Sequence, residues 1–149
     1  MTTALIVLAV ILVGVIGWYV FEASWDRHLF SASPGCVIEN IHPLKAEALL
    51  NSNASVQVLD VRSPEEFAGG SLLGAVNISL GDPAFRERLG MLDVNKPVLV
   101  YCAGGYRSRK AVPMLRELGF VSIHHLHRGF MSWKRAGLPV ASTSPSNQG

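Results

Sequence analysis

Two cysteines, Cys36 and Cys102, are all that the 149 residues contain, and that excludes a disulfide-stapled scaffold, because at most one bridge could form. Charge is scarce as well. Asp, Glu, Lys and Arg make up 16% of the chain, and 13 basic against 11 acidic side chains leave a formal net charge of +2. So even a balance carries no bulk signature of nucleic-acid binding. No internal repeat of about 20–50 residues is present. The sparsest region is the start: no charged residue precedes Glu22.

That absence frames a long apolar run. Residues 4–21, ALIVLAVILVGVIGWYVF, are 18 consecutive uncharged positions. As a helix they would extend roughly 27 Å at about 1.5 Å per residue, close to the hydrocarbon thickness of a bilayer. A buried core helix would show a polar face, and none is visible. Trp18, Tyr19 and Trp25 stand near the far end, where amphipathic rings favour the headgroup region. A cleavable signal peptide would want a basic start and a shorter run. MTT supplies no basic residue and Phe30–Ser33 is a poor cleavage site, so a retained anchor is expected. All Lys and Arg residues follow the segment, with Arg27 in its flank. The positive-inside tendency then places the remainder in the cytoplasm, beneath what would be a bacterial inner membrane. The expected organisation is an anchor over residues 1–25, a linker over 26–36, one domain over 37–140 and a disordered polar tail over 141–149.

Within the domain, apolar and β-branched runs alternate with helical stretches. VQVLDV (Val56–Val61) and VLVYC (Val98–Cys102) read as strands buried on both faces; AVNISL (Ala75–Leu80), SIHHL (Ser122–Leu126) and CVIENI (Cys36–Ile41) are weaker strands. Helices are expected over Pro43–Leu50, Pro64–Ala68, Pro83–Leu89, Ser108–Leu118 and Phe130–Ala136, three of them opening on proline, where a missing N–H does no harm. The alternation implies an α/β fold: a mainly parallel sheet with helices on both faces.

In such a sheet, ligands sit at the carboxyl ends of the strands, and Cys102 occupies one of those ends. The chain continues through Ala103, Gly104, Gly105, Tyr106 and Arg107 to Ser108, a suitable N-cap for the helix that follows. A cysteine closing a core strand can equally be a packing residue. The two glycines, which let the backbone curl closely round the sulfur, and the basic Arg107, Arg109 and Lys110 favour a reactive thiol in an anion-binding loop. Pro113 inside the helix has no functional explanation.

These stretches, taken in order, resemble the single-domain form of the rhodanese-like family over about residues 37–140. LDVRSPEEFAGGSLLGAVNISL (Leu59–Leu80), YCAGGYRS (Tyr101–Ser108), LRELGF (Leu115–Phe120) and LHRGFMSW (Leu126–Trp133) follow the family pattern at its spacing. The resemblance implies a five-stranded parallel sheet, a Cys102 nucleophile, a six-residue substrate loop from Cys102 to Arg107 with Ser108 next to it among the substrate-binding residues, and a D-x-R pair at Asp60 and Arg62. Three positions depart from it: Ala103 where Arg is frequent, Ser71 where His is usual, and Arg128 where the first glycine of a pair is usual.

The implied chemistry is sulfur transfer from a donor such as thiosulfate or a persulfide, through a Cys102 persulfide, to a thiophilic acceptor, with neither metal nor organic cofactor. Asp60 and Arg62 read as loop supports, and Glu65 and Glu66 as helix-start residues. On a strand, His125 and His127 share a face and His124 points away, which is short of a metal ligand set. Cys36 suits either packing or the resolution of an oxidised Cys102. Two rival functions remain. A membrane-tethered docking module for a membrane-protein partner would use the same fold. A cysteine phosphatase or arsenate reductase would want Cys-x5-Arg, whereas Arg107 comes one place early and Arg109 one late.

Overall fold

The computed structural model describes residues 2–31 and 35–141. The expected disordered tail lies outside the described residues except for Ala141, which is paired: its N–H donates to the Ser71 carbonyl at 2.8 Å and its carbonyl accepts from the Ser71 N–H at 3.0 Å. The chain divides into two units, Met1–Ser31 and Ala32–Gly149.

The first unit is a single helix, α1 (Thr2–Leu29), apolar and exposed on every side over residues 3–21 and long enough to cross a membrane. It runs past Trp25, where the linker was expected to begin, because nothing between Trp18 and Leu29 breaks a helix. Arg27 extends it by donating to the Ala23 carbonyl at 3.3 Å.

The second unit holds five parallel strands: β1 (Val37–Ile41), β2 (Gln57–Asp60), β3 (Ala75–Asn77), β4 (Val98–Tyr101) and β5 (Ser122–Leu126), arranged β1-β5-β4-β2-β3. All four residues of β4 are buried, which a strand achieves only when both sheet faces are covered. Leu99 and Tyr101 pack with Ile41, Leu126, Ala46 of α2 (Pro43–Ser52), and Phe130 and Trp133 of α6 (Gly129–Arg135). α5 (Tyr106–Glu117) packs against β4 and β5, burying Ala111, Val112 and Leu115. Two short helices, α3 (Pro64–Ala68) and α4 (Phe85–Leu89), complete the fold. α3 opens with a capping box, in which the Ser63 hydroxyl and the Glu66 carboxylate each accept from the other's backbone N–H.

Several boundaries differ from expectation. β3 stops at Asn77 instead of Leu80, although the Ile78 and Leu80 N–H groups still donate to the carbonyls of Asp60 and Val61. α4 starts at Phe85, not Pro83: the Asp82 carboxylate accepts from the Ala84 N–H and makes a turn of the residues before it. α5 begins at Tyr106, two residues before the expected cap at Ser108, because Gly105, with φ of 96°, performs the reversal.

Candidate active site

β4 ends at Tyr101, so Cys102 is the first residue beyond the carboxyl edge of the central strand. The chain wraps round its sulfur at once. The Gly105 N–H donates to Cys102 Sγ at 3.2 Å and the Ser108 hydroxyl stands 3.5 Å from it. Gly105 must be in the left-handed region to aim that amide inward, and it is buried against the backbone of Arg128. Behind the loop, the N–H groups of Phe130 and Met131 donate to the carbonyls of Cys102 (2.7 Å) and Ala103 (3.0 Å). This approach leaves no room at Gly129, where a Cβ would overlap the Cys102 carbonyl and lie 2.8 Å from that of Ala103. The structure thus explains the second glycine of the expected pair. At the first, Arg128 takes a left-handed φ of 55° itself.

Arg107 leans toward Cys102, but its guanidinium is gripped in bidentate fashion by Glu66, at 2.6 and 2.8 Å. Those bonds pull the Glu66 carboxyl down to about 2 and hold Arg107 above its usual value, with Cys102 contributing to the latter. Glu66 is therefore more than a helix-start residue. Nothing in the sequence signalled a partner 41 positions away. Of the other basic residues at the helix start, Lys110 lies over the exposed Tyr106 ring, 4.7 Å from its centroid.

Asp60 and Arg62 are 0% and 4% exposed and engage each other: the guanidinium donates to both carboxylate oxygens at 2.6–3.0 Å and to the Gly70 carbonyl at 2.7 Å. Burial acts to lower the Arg62 pKa, and the Asp60 carboxylate outweighs it, so that Arg62 lies above its ordinary value. Arg62 also stacks on Phe130, 4.2 Å from the ring centroid. Burial pushes the Tyr101 hydroxyl up in the same cluster, where its oxygen accepts from the Leu72 N–H. The pair thus ties the end of β2 to the Gly70 carbonyl and to the Phe130 ring.

The three histidines divide. His125 is fully buried and reaches Ser108 Oγ at 2.8 Å; His127 meets Asn40 at 3.3 Å and the His42 ring; His124 lies beside Ser122 and Glu39, its pKa lowered by burial. Among the described residues, no group of three or more His, Cys, Asp or Glu is placed to hold a metal ion. Sequence reasoning read Ser108 as a helix cap beside the substrate loop and missed its contact with His125, which lies 17 positions away on β5.

Cys36 cannot resolve Cys102. β1, β5 and β4 are parallel, and their register puts Cys36 one residue before the amino end of β1 and Cys102 just past the carboxyl end of β4. The offset is about six residues, or roughly 20 Å at about 3.3 Å per residue, far beyond the ~7 Å limit for a bridge. Burial raises the Cys36 thiol pKa, which suits packing.

The family model of the rhodanese-like domain matches residues 43–136. The chain is 42% identical over 77 residues to the uncharacterized protein YqhL of Bacillus subtilis, covering 52% of this chain and 60% of that one. It is 32% identical over 100 residues to thiosulfate sulfurtransferase GlpE of Actinobacillus succinogenes, covering 67% and 87%. The chain spans less than two thirds of the length of each of the first curated relatives it matches. Among solved structures, a rhodanese-related protein from Thermoplasma volcanium superposes with a TM-score of 0.61 at 32% identity, over 69% of this chain and 97% of that one. Motif order, sheet topology and these likenesses agree: the chain belongs to the rhodanese-like domain family.

Proposed function

We propose that the domain is a sulfurtransferase that carries sulfane sulfur on Cys102. The observation that supports this most directly is the backbone collar, in which the Gly105 amide points at Sγ from a loop built to close round one sulfur and the atom attached to it. In the first half-reaction the Cys102 thiolate attacks the outer sulfur of thiosulfate or a persulfide; the donor S–S bond breaks and sulfite, or a thiolate, leaves with the electron pair. The persulfide anion then sits among the loop residues Ala103, Gly104, Gly105, Tyr106 and Arg107, where amide dipoles already in position stabilise it. In the second half-reaction a thiophilic acceptor takes the outer sulfur and the Cys102 thiolate returns. Arg107, steered by Glu66, is the cation for an anionic donor, while Asp60 and Arg62 keep the loop in place. No step needs a metal or an organic cofactor.

α1 is the membrane anchor in this reading, with the domain on the cytoplasmic side. Donor and acceptor are then small molecules or proteins that come to the membrane surface. The test is the purified full chain in mild detergent, assayed for thiosulfate:cyanide sulfur transfer and for a one-sulfur increase in intact mass. Cys102→Ser should lose both and keep its thermal transition. Transfer surviving in that variant would overturn the proposal.

A further inference from the structure

A buried hydrogen-bonded chain leads away from the sulfur. Ser108 Oγ lies 3.5 Å from Cys102 Sγ and 2.8 Å from His125 Nε2; on the other side of the ring, His125 Nδ1 lies 2.9 Å from Asn40 Oδ1. The fold dictates this line. Asn40 and His125 are register partners on neighbouring parallel strands, so their side chains share a face. Ser108 falls on the inner side of the first turn of α5 because Gly105 starts the helix two residues earlier. Ser108 and His125 are both fully buried.

The surroundings of the ring fit two protonation states with the same heavy-atom positions. The Asn40 amide, donating through Nδ2 to His127 Nδ1 at 3.3 Å, turns its oxygen to His125, so His125 Nδ1 carries a proton. On the far side, Nε2 lies 2.8 Å from Ser108 Oγ and 3.1 Å from the Gly105 carbonyl, which can only accept. With a neutral ring, the Ser108 hydroxyl donates to Nε2 and its oxygen can accept from the Cys102 S–H. With an imidazolium, Nε2–H donates toward Ser108 Oγ and the Gly105 carbonyl, and the Ser108 hydroxyl swings to the sulfur. Facing groups that bear charge or titrate are the Glu66–Arg107 pair on the Cys102 side, and His127 and His42 beyond Asn40.

We infer that His125 is the proton acceptor for Cys102, working through Ser108 and held in the required tautomer by Asn40. The S–H bond breaks as its proton passes to Ser108 Oγ, while the Ser108 proton passes to His125 Nε2. Ser108 ends unchanged, the products are thiolate and imidazolium, and the total charge is the same. The imidazolium then remains as counter-charge through both half-reactions, neither of which consumes a proton when thiosulfate donates and cyanide accepts. His125 and Asn40 act as positioning residues for the reaction proposed above, and this assignment rests on that reading for its purpose but not for its test.

The test is the thiolate content of Cys102 in the full chain in detergent at neutral pH, carried in a Cys36→Ser background. It is read by thiolate ultraviolet absorbance, taken as the difference from Cys102→Ser, and by the rate of alkylation with iodoacetamide. A free thiol is only a few per cent ionised near neutral pH, so losing the relay should lower both readings by on the order of tenfold. His125→Gln keeps an amide that can hydrogen-bond yet cannot take a proton; the expected result is that loss, with the thermal transition retained. Ser108→Ala should give the same loss with His125 intact. Asn40→Asp, which places a carboxylate against Nδ1–H, should hold both readings at or above the parent. His125→Gln within twofold of the parent would overturn the relay, because a purely structural hydrogen bond is met by glutamine. Should that variant fail to fold, unchanged readings in Ser108→Ala overturn it instead. Neither reading needs a sulfur donor, so failure of thiosulfate as substrate with His125-dependent ionisation would overturn the sulfur-transfer reading alone.

Discussion

Consecutive residues behind the loop, Arg128 and Gly129, both hold left-handed backbone, with φ of 55° and 57°, and substituting each should act in opposite directions. Gly129→Ala puts a methyl group onto the Cys102 carbonyl. Left-handed backbone costs a residue with a Cβ about 1–2 kcal/mol. Backing away from the clash would also loosen the Phe130 and Met131 hydrogen bonds to the loop carbonyls, at about 1 kcal/mol each. The expected destabilisation is therefore about 3–4 kcal/mol. Arg128→Gly removes the same left-handed penalty and meets no packing loss at the backbone, while the freer unfolded chain takes back about 0.4–1 kcal/mol. A net stabilisation of about 0.5–1 kcal/mol should remain. Urea unfolding of the full chain in detergent measures both, with equal slopes required for the comparison. Activity separates them further: Gly129→Ala should lose sulfur transfer even where it is still folded, because the Gly105 amide no longer faces Sγ, whereas Arg128→Gly should retain it. Gly129→Ala within 0.5 kcal/mol of the parent would refute the argument from close approach, that margin being about the scatter of neutral surface changes. A destabilised Arg128→Gly would refute the strain assigned to Arg128.

Arg107→Ala should keep part of the activity and lose about 1.5–3 kcal/mol of discrimination in favour of anionic donors, read as kcat/KM for thiosulfate against an uncharged sulfane-sulfur donor. Glu66 is depressed to about 2 from an ordinary 4.5, so its contribution is present in full above about pH 4.5 and vanishes as pH falls through about 2. Both partners are 36% exposed, so screening limits the pair to about 1 kcal/mol or less. The stability gap between parent and Glu66→Gln should be that size at pH 7 and close toward pH 2; a gap that persists there would show that the ion pair is not its source. Removing residues 1–31 should leave a soluble domain with an unchanged thermal transition, since the cluster built round Leu99, Tyr101 and Phe130 contains none of them, and aggregation of that fragment would contradict it. Protease added to intact cells should spare the domain if it faces the cytoplasm, and digestion there would reverse the orientation.

The strand–helix alternation made the sheet and the place of Cys102 readable from sequence, because fully buried parallel strands leave short β-branched runs such as VLVY bounded by turn residues. β1 was faint for a physical reason: an edge strand buried on part of its surface tolerates Glu39 and Asn40. Its contribution was invisible for the same reason, since the contact between Asn40 and His125 joins residues 85 apart. Ser108 misled because a serine just after glycines reads as a cap; only the φ of Gly105 reveals that the helix has already begun and that the hydroxyl turns inward. Arg107 looked like an unopposed cation because its partner Glu66 belongs to another helix.

Phe130 joins two regions that many enzymes keep apart. Its ring lies under the buried Arg62 and beside Tyr101 in the heart of the molecule, while its own amide holds the carbonyl of the nucleophile. A fluctuation that frees the loop must therefore pull an aromatic ring out of the core. In amide exchange, the Phe130 N–H should release its proton only when the whole domain opens, not in a local breath of the site. Variation would then find few neutral routes here: a change that softens the loop to admit a larger donor also lowers the melting temperature. New substrates would be reached more readily from the exposed side of the loop, at Gly104 and Tyr106, where nothing of the interior hangs on the outcome.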